Sequence, residues 1–181
     1  MGEVVFLATK FIVPLQKIIK DFNLEVLYVP EDASTIAISS PEVNRPGLQL
    51  SGFFDYFDSQ RVQILGKSEF AFLQQFDDTE ITNRIDNYFS TCPPAVVITR
   101  NIEAPACMMD AAKAHKVSLL RTADGTSAFM AGLIAELNVE LAPRVTRHGV
   151  LVEVYGEGIL LLGESGVGKS ETRSEEHTSE L

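Results

Sequence analysis

The sequence predicts an α/β fold with a mostly parallel sheet, followed by the first hairpin of a second, truncated domain. Three observations carry this. Ala95-Val-Val-Ile-Thr99 is a short, continuously apolar run introduced by Pro93-Pro94, the composition of a strand buried on both faces of a parallel sheet. Helical periods stand on either side of it, so strand and helix alternate along the chain. Residues 148–162 then change to period two around Gly156-Glu157, which is the pattern of a hairpin.

Taken in order, Ile12, Leu15, Ile18, Ile19 and Phe22 recur at helical spacing and predict a helix over about 12–22. Leu24–Val29, closed by Pro30, and Ile36–Ser39 read as strands, and the turn-rich stretch from Pro41 to Gly52 as a loop. Arg61–Leu65 reads as a strand ending at Gly66, with two short helices after it near 67–76 and 79–89. Pro105 sits where the first residue of a helix over 105–115 would, and Val117–Arg121 is a further strand. Thr126–Leu141 is a long helix with Phe129, Leu133, Ile134 and Leu137 on one face, stopped by Pro143. A domain boundary is placed near residue 135. Residues 1–135 then form an α/β domain and 136–172 begin a second one. Residues 173–181 are expected to be a non-native tail: they carry no apolar period, and they resemble the translated read-through of a sequencing adapter.

In the hairpin, His148, Val150, Val152 and Val154 alternate with Gly149, Leu151, Glu153 and Tyr155. A turn at Gly156-Glu157 would pair Tyr155 with Gly158 and set His148 opposite Ser165, and a slip of one or two residues keeps its partner between 163 and 167. The apolar run Ile159-Leu160-Leu161-Leu162 feeds directly into Gly163, Glu164, Ser165, Gly166, Val167, Gly168, Lys169 and Ser170, which fit G-x-x-x-x-G-K-[ST]. Glycines let the backbone turn its N–H groups onto an anion. Lys169 can reach terminal phosphate oxygens and the Ser170 hydroxyl can bind Mg²⁺. The substrate class is therefore a nucleoside triphosphate or another polyphosphate. His148 would serve as a phosphate hydrogen-bond donor or a proton carrier, or as a structural histidine. Glu153 reads as a solvated strand residue and His115 as a residue capping or covering a helix end.

Hydrophobic residues make up 45% of the 181, enough for a packed core, and the net charge is −10. Removing Arg173 and the three glutamates of the tail leaves −8 for residues 1–172. An acidic chain without a basic run argues against nucleic acid and anionic membrane as principal partners. No signal peptide or membrane-length apolar run is present, so a cytoplasmic location is expected. Cys92 and Cys107 lack zinc-site spacing and are expected to be buried, reduced thiols. The cluster Asn44-Arg45-Pro46-Gly47 with Phe53-Phe54-Asp55-Tyr56-Phe57 is expected to be an ordered turn whose aromatics fill the core, with anion or partner contact by Arg45 as the alternative.

The segment from His148 through Thr172 closely resembles HPr kinase/phosphorylase, and Val43–Phe57 with Arg61, Gln63, Gly66 and Glu69 resembles that family's N-terminal domain. The resemblance spans about 1–172. It implies phosphorylation of a serine of the phosphocarrier HPr from ATP or pyrophosphate, and the reverse phosphorolysis to pyrophosphate, in the regulation of carbon metabolism. It also implies Gly163–Ser170 as the nucleotide loop, Ser170 as the Mg²⁺ contact, His148 and Lys169 as active-site positions, and a hexameric parent. The family's catalytic aspartate and a later metal-binding glutamate would lie beyond residue 172, so the 181-residue chain by itself is expected to be inactive. A phosphotransferase of carboxykinase type and a non-catalytic N-terminal interaction module are the alternatives.

Overall fold

The computed structural model of the protein describes residues 11–143, 149–155 and 157–162. The chain divides into two compact units, Met1–Pro143 and Arg144–Leu181. The break follows a continuous helix over Thr126–Glu140 instead of falling at residue 135 within it.

The first unit is built on a five-stranded sheet. Its strands are β2 (Glu25–Tyr28), β4 (Val43–Asn44), β5 (Val62–Leu65), β6 (Ala95–Ile98) and β7 (Ser118–Arg121), in the spatial order β2-β7-β6-β5-β4. From β4 to β7 all neighbours are parallel, and β2 closes one edge antiparallel to β7. The sheet is therefore mostly parallel, as expected. The turn-rich 41–52 stretch, expected to be a loop, contains β4 and a short helix α2 (Gly47–Leu50). The other helices are α1 (Leu15–Asp21), α3 (Lys67–Leu73), α4 (Asp78–Phe89), α5 (Ala106–Ala114) and α6 (Thr126–Glu140). The first helix starts later than its apolar period suggests, because Val13 and Pro14 form β1, which pairs with β3 (Ala37–Ile38).

Strand alternation sends every second side chain to the opposite face, and here both faces are covered. Val96 and Ile98 of β6 pack with Leu65, Leu119 and residues of α3, α4 and α5, among them Leu73, Ile85, Phe89 and Met108. Ala95 and Val97, one residue out of phase, pack with Val62, Ile64 and Leu120 against α1, the β1–β3 ribbon and the Phe129, Leu133 and Leu137 stripe of α6. The result is three layers, helix on sheet on helix. Phe129, Leu133 and Leu137 are each at most 1% exposed, as their spacing predicts, while Ile134, expected on the same face, is only half-buried.

Tyr88 is the largest buried side chain that carries a polar atom, and its hydroxyl finds no hydrogen-bond partner among the described residues. Its ring packs edge-on to Phe89 at 5.5 Å between centroids. Burial, with the Glu69 charge adding to it, pushes its pKa well above the usual tyrosine value. The sign follows. Below a pH of about 10 both folded and unfolded states keep the proton; above it only the unfolded state releases it, so stability falls as pH rises. Tyr88→Phe should leave neutral-pH stability unchanged or raise it by up to about 1 kcal/mol, since an unpaired buried hydroxyl contributes nothing. It should also flatten the decline above a pH of about 10, read from denaturant midpoints across pH.

Candidate functional site

The second unit presents one hairpin, β8 (Gly149–Val154) paired antiparallel with β9 (Glu157–Leu162). The ladder runs from Val154↔Glu157 to Gly149↔Leu162. This corrects the register expected from the sequence: Glu157 and Gly158 belong to the ladder, and the two-residue turn is Tyr155-Gly156. Tyr155 has φ 52°, the positive value that a hairpin turn matched to strand twist needs at its first central position. Glu153 is exposed, as expected of a solvated strand residue. Because Gly149 faces Leu162, the chain enters β8 and leaves β9 at the same end of the hairpin. His148 and the loop from Gly163 to Ser170, Lys169 included, lie outside the described residues, as do 173–181.

In the first unit a polar cluster links β4, β5 and the start of α3, and its Arg45–Glu69 pair stands just past the carboxyl ends of β4 and β5, where open α/β sheets characteristically place their sites. Arg45 follows β4, and its guanidinium donates from Nη2 to both Glu69 carboxylate oxygens at 2.9 Å. Glu69 is the third residue of α3 and only 5% exposed. Its carboxylate also accepts from the Gly66 N–H at 2.8 Å, reaching back over the helix start as an N3 glutamate does. Asn44 donates to Gln63 at 3.0 Å, and Gln63 in turn donates to the Arg61 carbonyl at 2.8 Å. Arg45 is thus committed to a carboxylate within its own domain. The aromatics beside it divide: Phe57 packs against the core and edge-on to Phe54 at 6.0 Å, while Phe53 and Tyr56 are exposed. The expectation of an ordered turn holds, but only part of the aromatic run fills the core.

Gly66 directly follows β5, where the Thr126 and Thr99 side chains press on its backbone. A Cβ there would lie 2.5 Å from Thr126 Oγ1 and 3.4 Å from Thr99 Oγ1, and those two hydroxyls share a hydrogen bond of 2.7 Å. Thr126 opens α6, so a side chain at 66 would wedge that helix off the sheet. Gly66→Ala should cost about 1–3 kcal/mol in denaturant unfolding. Thr126→Ala, which removes the obstructing atoms, should make the double variant more stable than the sum of the singles predicts.

The cysteines correct another expectation: both are free, but Cys92 is exposed and Cys107 half-buried. His115 caps the end of α5 and bonds Asp86 at 2.7 Å, the helix-end role expected of it. Among the described residues no group of three His, Cys, Asp or Glu could hold a metal ion, and no helix is long and apolar enough to cross a membrane. Local sequence pattern leaves the capping role of Glu69 unassigned. The signal that could find it is a glutamate three residues after a strand-ending glycine, the spacing of a helix-start cap.

Fold and hairpin together define a class: an α/β domain followed by the opening strands of a second domain that run into a phosphate-loop sequence. The family model for the HPr Serine kinase N terminus matches residues 13–137, and that for the HPr Serine kinase C-terminal domain matches 139–176. The chain belongs to the HPr serine kinase family. It is 46% identical over 163 residues to the HPr kinase/phosphorylase of Thermoanaerobacter pseudethanolicus, covering 90% of this chain and 53% of that one. It is 48% identical over 165 residues to that of Caldicellulosiruptor bescii, covering 91% and 53%, and 41% identical over 163 residues to that of Clostridium perfringens, covering 90% and 52%. The chain spans about half the length of these curated relatives. Among solved structures, the CBS and DRTGG domains of the regulatory region of Clostridium perfringens pyrophosphatase, complexed with the activator diadenosine tetraphosphate, align with a TM-score of 0.49 at 13% identity. That alignment covers 71% of this chain and 50% of that one.

Proposed function

We propose that the protein is the N-terminal part of a bifunctional HPr kinase/phosphorylase: residues to about 143 form its N-terminal domain, and the β8–β9 hairpin opens its kinase domain. The observation that carries the proposal is the apolar strand β9, which ends at Leu162 immediately before Gly163-Glu-Ser-Gly-Val-Gly-Lys-Ser170, inside the stretch matched to the family's C-terminal domain. Phosphoryl transfer asks a protein for positioning and charge stabilisation more than covalent chemistry. Backbone N–H groups of residues 163–170 would cradle the phosphates of ATP or pyrophosphate, and Lys169 would neutralise charge on the terminal phosphate. Mg²⁺ would supply further charge neutralisation, and the Ser170 hydroxyl is a hard oxygen donor of the kind it takes. His148 directly precedes β8. If the Gly149↔Leu162 ladder continues by one step, His148 stands opposite Gly163, at the start of the loop, where it can donate to a phosphate oxygen or carry a proton.

The acceptor would be a serine of HPr, whose proton an acidic residue beyond residue 172 would take. We further place the parent in the cytoplasm as a hexamer, without nucleic acid or membrane among its partners; an acidic chain at −10 supports the last two. The deciding experiment offers labelled ATP to the protein carried on through its kinase domain, with HPr, HPr lacking its serine, and small alcohol or carboxylate acceptors in parallel. Label should appear on HPr and be lost with the serine. Transfer to small acceptors instead would assign a carboxykinase-type enzyme, and transfer to none would leave an interaction module.

A further inference from the structure

A pocket of about 560 Å³ opens between α3, α4 and α5, remote in sequence from the phosphate loop. That is within the range of small-molecule sites. Its walls are apolar, with Phe70, Ile81 and Ile102 among them, and half-buried Cys107 stands in its lining. Its charged lining is of one sign: Asp78 and Glu103 contribute carboxylates, and no described residue of the lining is basic. The Asp78 carboxylate makes no hydrogen bond or ion pair with any described residue. Glu103 shares its field with Arg121, but that guanidinium is held by both oxygens of Glu25 at 2.8 and 2.9 Å. Thr82 donates its hydroxyl proton to the Asp78 carbonyl at 2.7 Å and so offers only lone pairs to a ligand.

One feature opposes a negative field. Helix α5 starts at the pocket, with Pro105 as its cap and no side-chain hydrogen bond to its first amides. A helix start is equivalent to about half a positive charge, against two full negative charges from the carboxylates. At the start of α4 the Asp77 side chain already accepts from the Glu80 N–H at 2.9 Å. The balance is negative.

We propose that this pocket binds a small amphipathic cation, its apolar body against Phe70, Ile81 and Ile102 and its protonated amine between Asp78 and Glu103. Its occupancy can be read at Cys107, because a ligand in the pocket covers that thiol while exposed Cys92 serves as an internal reference. The full chain is alkylated with iodoacetamide and the two sites are followed by peptide mass. The probe is 2-phenylethylammonium at about 10 mM, roughly ten times the dissociation constant expected of a ligand of about nine heavy atoms. It should slow Cys107 relative to Cys92 about tenfold. The neutral 2-phenylethanol and the anionic 3-phenylpropionate should each slow it less than about twofold, since neither offers a positive charge to the carboxylates. Asp78→Asn with Glu103→Gln should abolish the protection, and Glu103→Gln alone, on an exposed loop position, should weaken it with thermal unfolding unchanged. Absent protection by the ammonium, equal protection by the alcohol or the carboxylate, or protection that survives both substitutions would each overturn the proposal.

Discussion

Lys169→Ala in the protein carried on through its kinase domain should lower phosphoryl transfer to HPr by at least about 10³-fold, the upper range for removing one preorganised charge or donor from a transition state. The lysine is the one full positive charge in the 163–170 loop, and transfer concentrates negative charge on the terminal phosphate oxygens. Loop amides remain in the variant, so nucleotide binding should weaken far less than turnover. The fold should not notice. All residues in the two buried clusters of the first unit lie between Val13 and Leu141 among the described residues, so its thermal unfolding should be that of the parent. Turnover within about tenfold of the parent would show that Lys169 does not carry the charge role assigned to it.

Arg45→Ala should be the most destabilising single change to the polar cluster at the strand ends, at about 2–4 kcal/mol. The two partners are unequally placed: Glu69 is 5% exposed, whereas the Arg45 side chain is 39% exposed. Removing Arg45 strands a buried carboxylate with only the Gly66 N–H to bond it. Removing the charge from Glu69 leaves an arginine that water can reach, and glutamine can still accept from Gly66. Glu69→Gln should therefore cost less than Arg45→Ala, and the Arg45→Ala/Glu69→Gln double variant should be more stable than Arg45→Ala alone. Denaturant midpoints of the four proteins measure this. Equal losses for the two single variants would mean that the pair is solvated in solution.

How much of this was legible depends on the range of the interaction responsible. Ala95–Ile98 declared itself because a strand buried on both faces needs no polar residue at all. The α6 stripe of Phe129, Leu133 and Leu137 did so because helix period and burial coincide. By contrast, β4 is two residues long and exists only because Val43 and Asn44 find Val62 and Gln63, and nothing local distinguishes it from the surrounding turn residues. Strands β2 and β3 fall inside the expected Leu24–Val29 and Ile36–Ser39, but β1 and the antiparallel pairings of β1 with β3 and of β2 with β7 are non-local for the same reason as β4. The hairpin was legible as a hairpin, but its register moved with the turn: Tyr155 takes a positive φ that its side chain does not advertise. The G-x-x-x-x-G-K-[ST] pattern of residues 163–170 stands out in the sequence because the chemistry it would carry resides in backbone amides, one lysine and one hydroxyl, and it lies outside the described residues. The cap made by Glu69 was obscured because an N3 glutamate looks like any charged residue on a helix surface until burial is known.

The central claim, that this is part of a reversible serine phosphotransferase acting on HPr, is tested most directly in the reverse direction. Phosphoseryl-HPr is incubated with the protein extended through its kinase domain, with inorganic phosphate present or withheld and no nucleotide added. In phosphorolysis an oxygen of inorganic phosphate attacks the phosphorus, the bond to the serine oxygen breaks, that oxygen takes up a proton, and pyrophosphate leaves. One pyrophosphate should appear for each phosphoserine lost, only when phosphate is supplied, and not in the Lys169→Ala protein. Loss of phosphoserine that proceeds without added phosphate and yields no pyrophosphate would be plain hydrolysis and would contradict the claim.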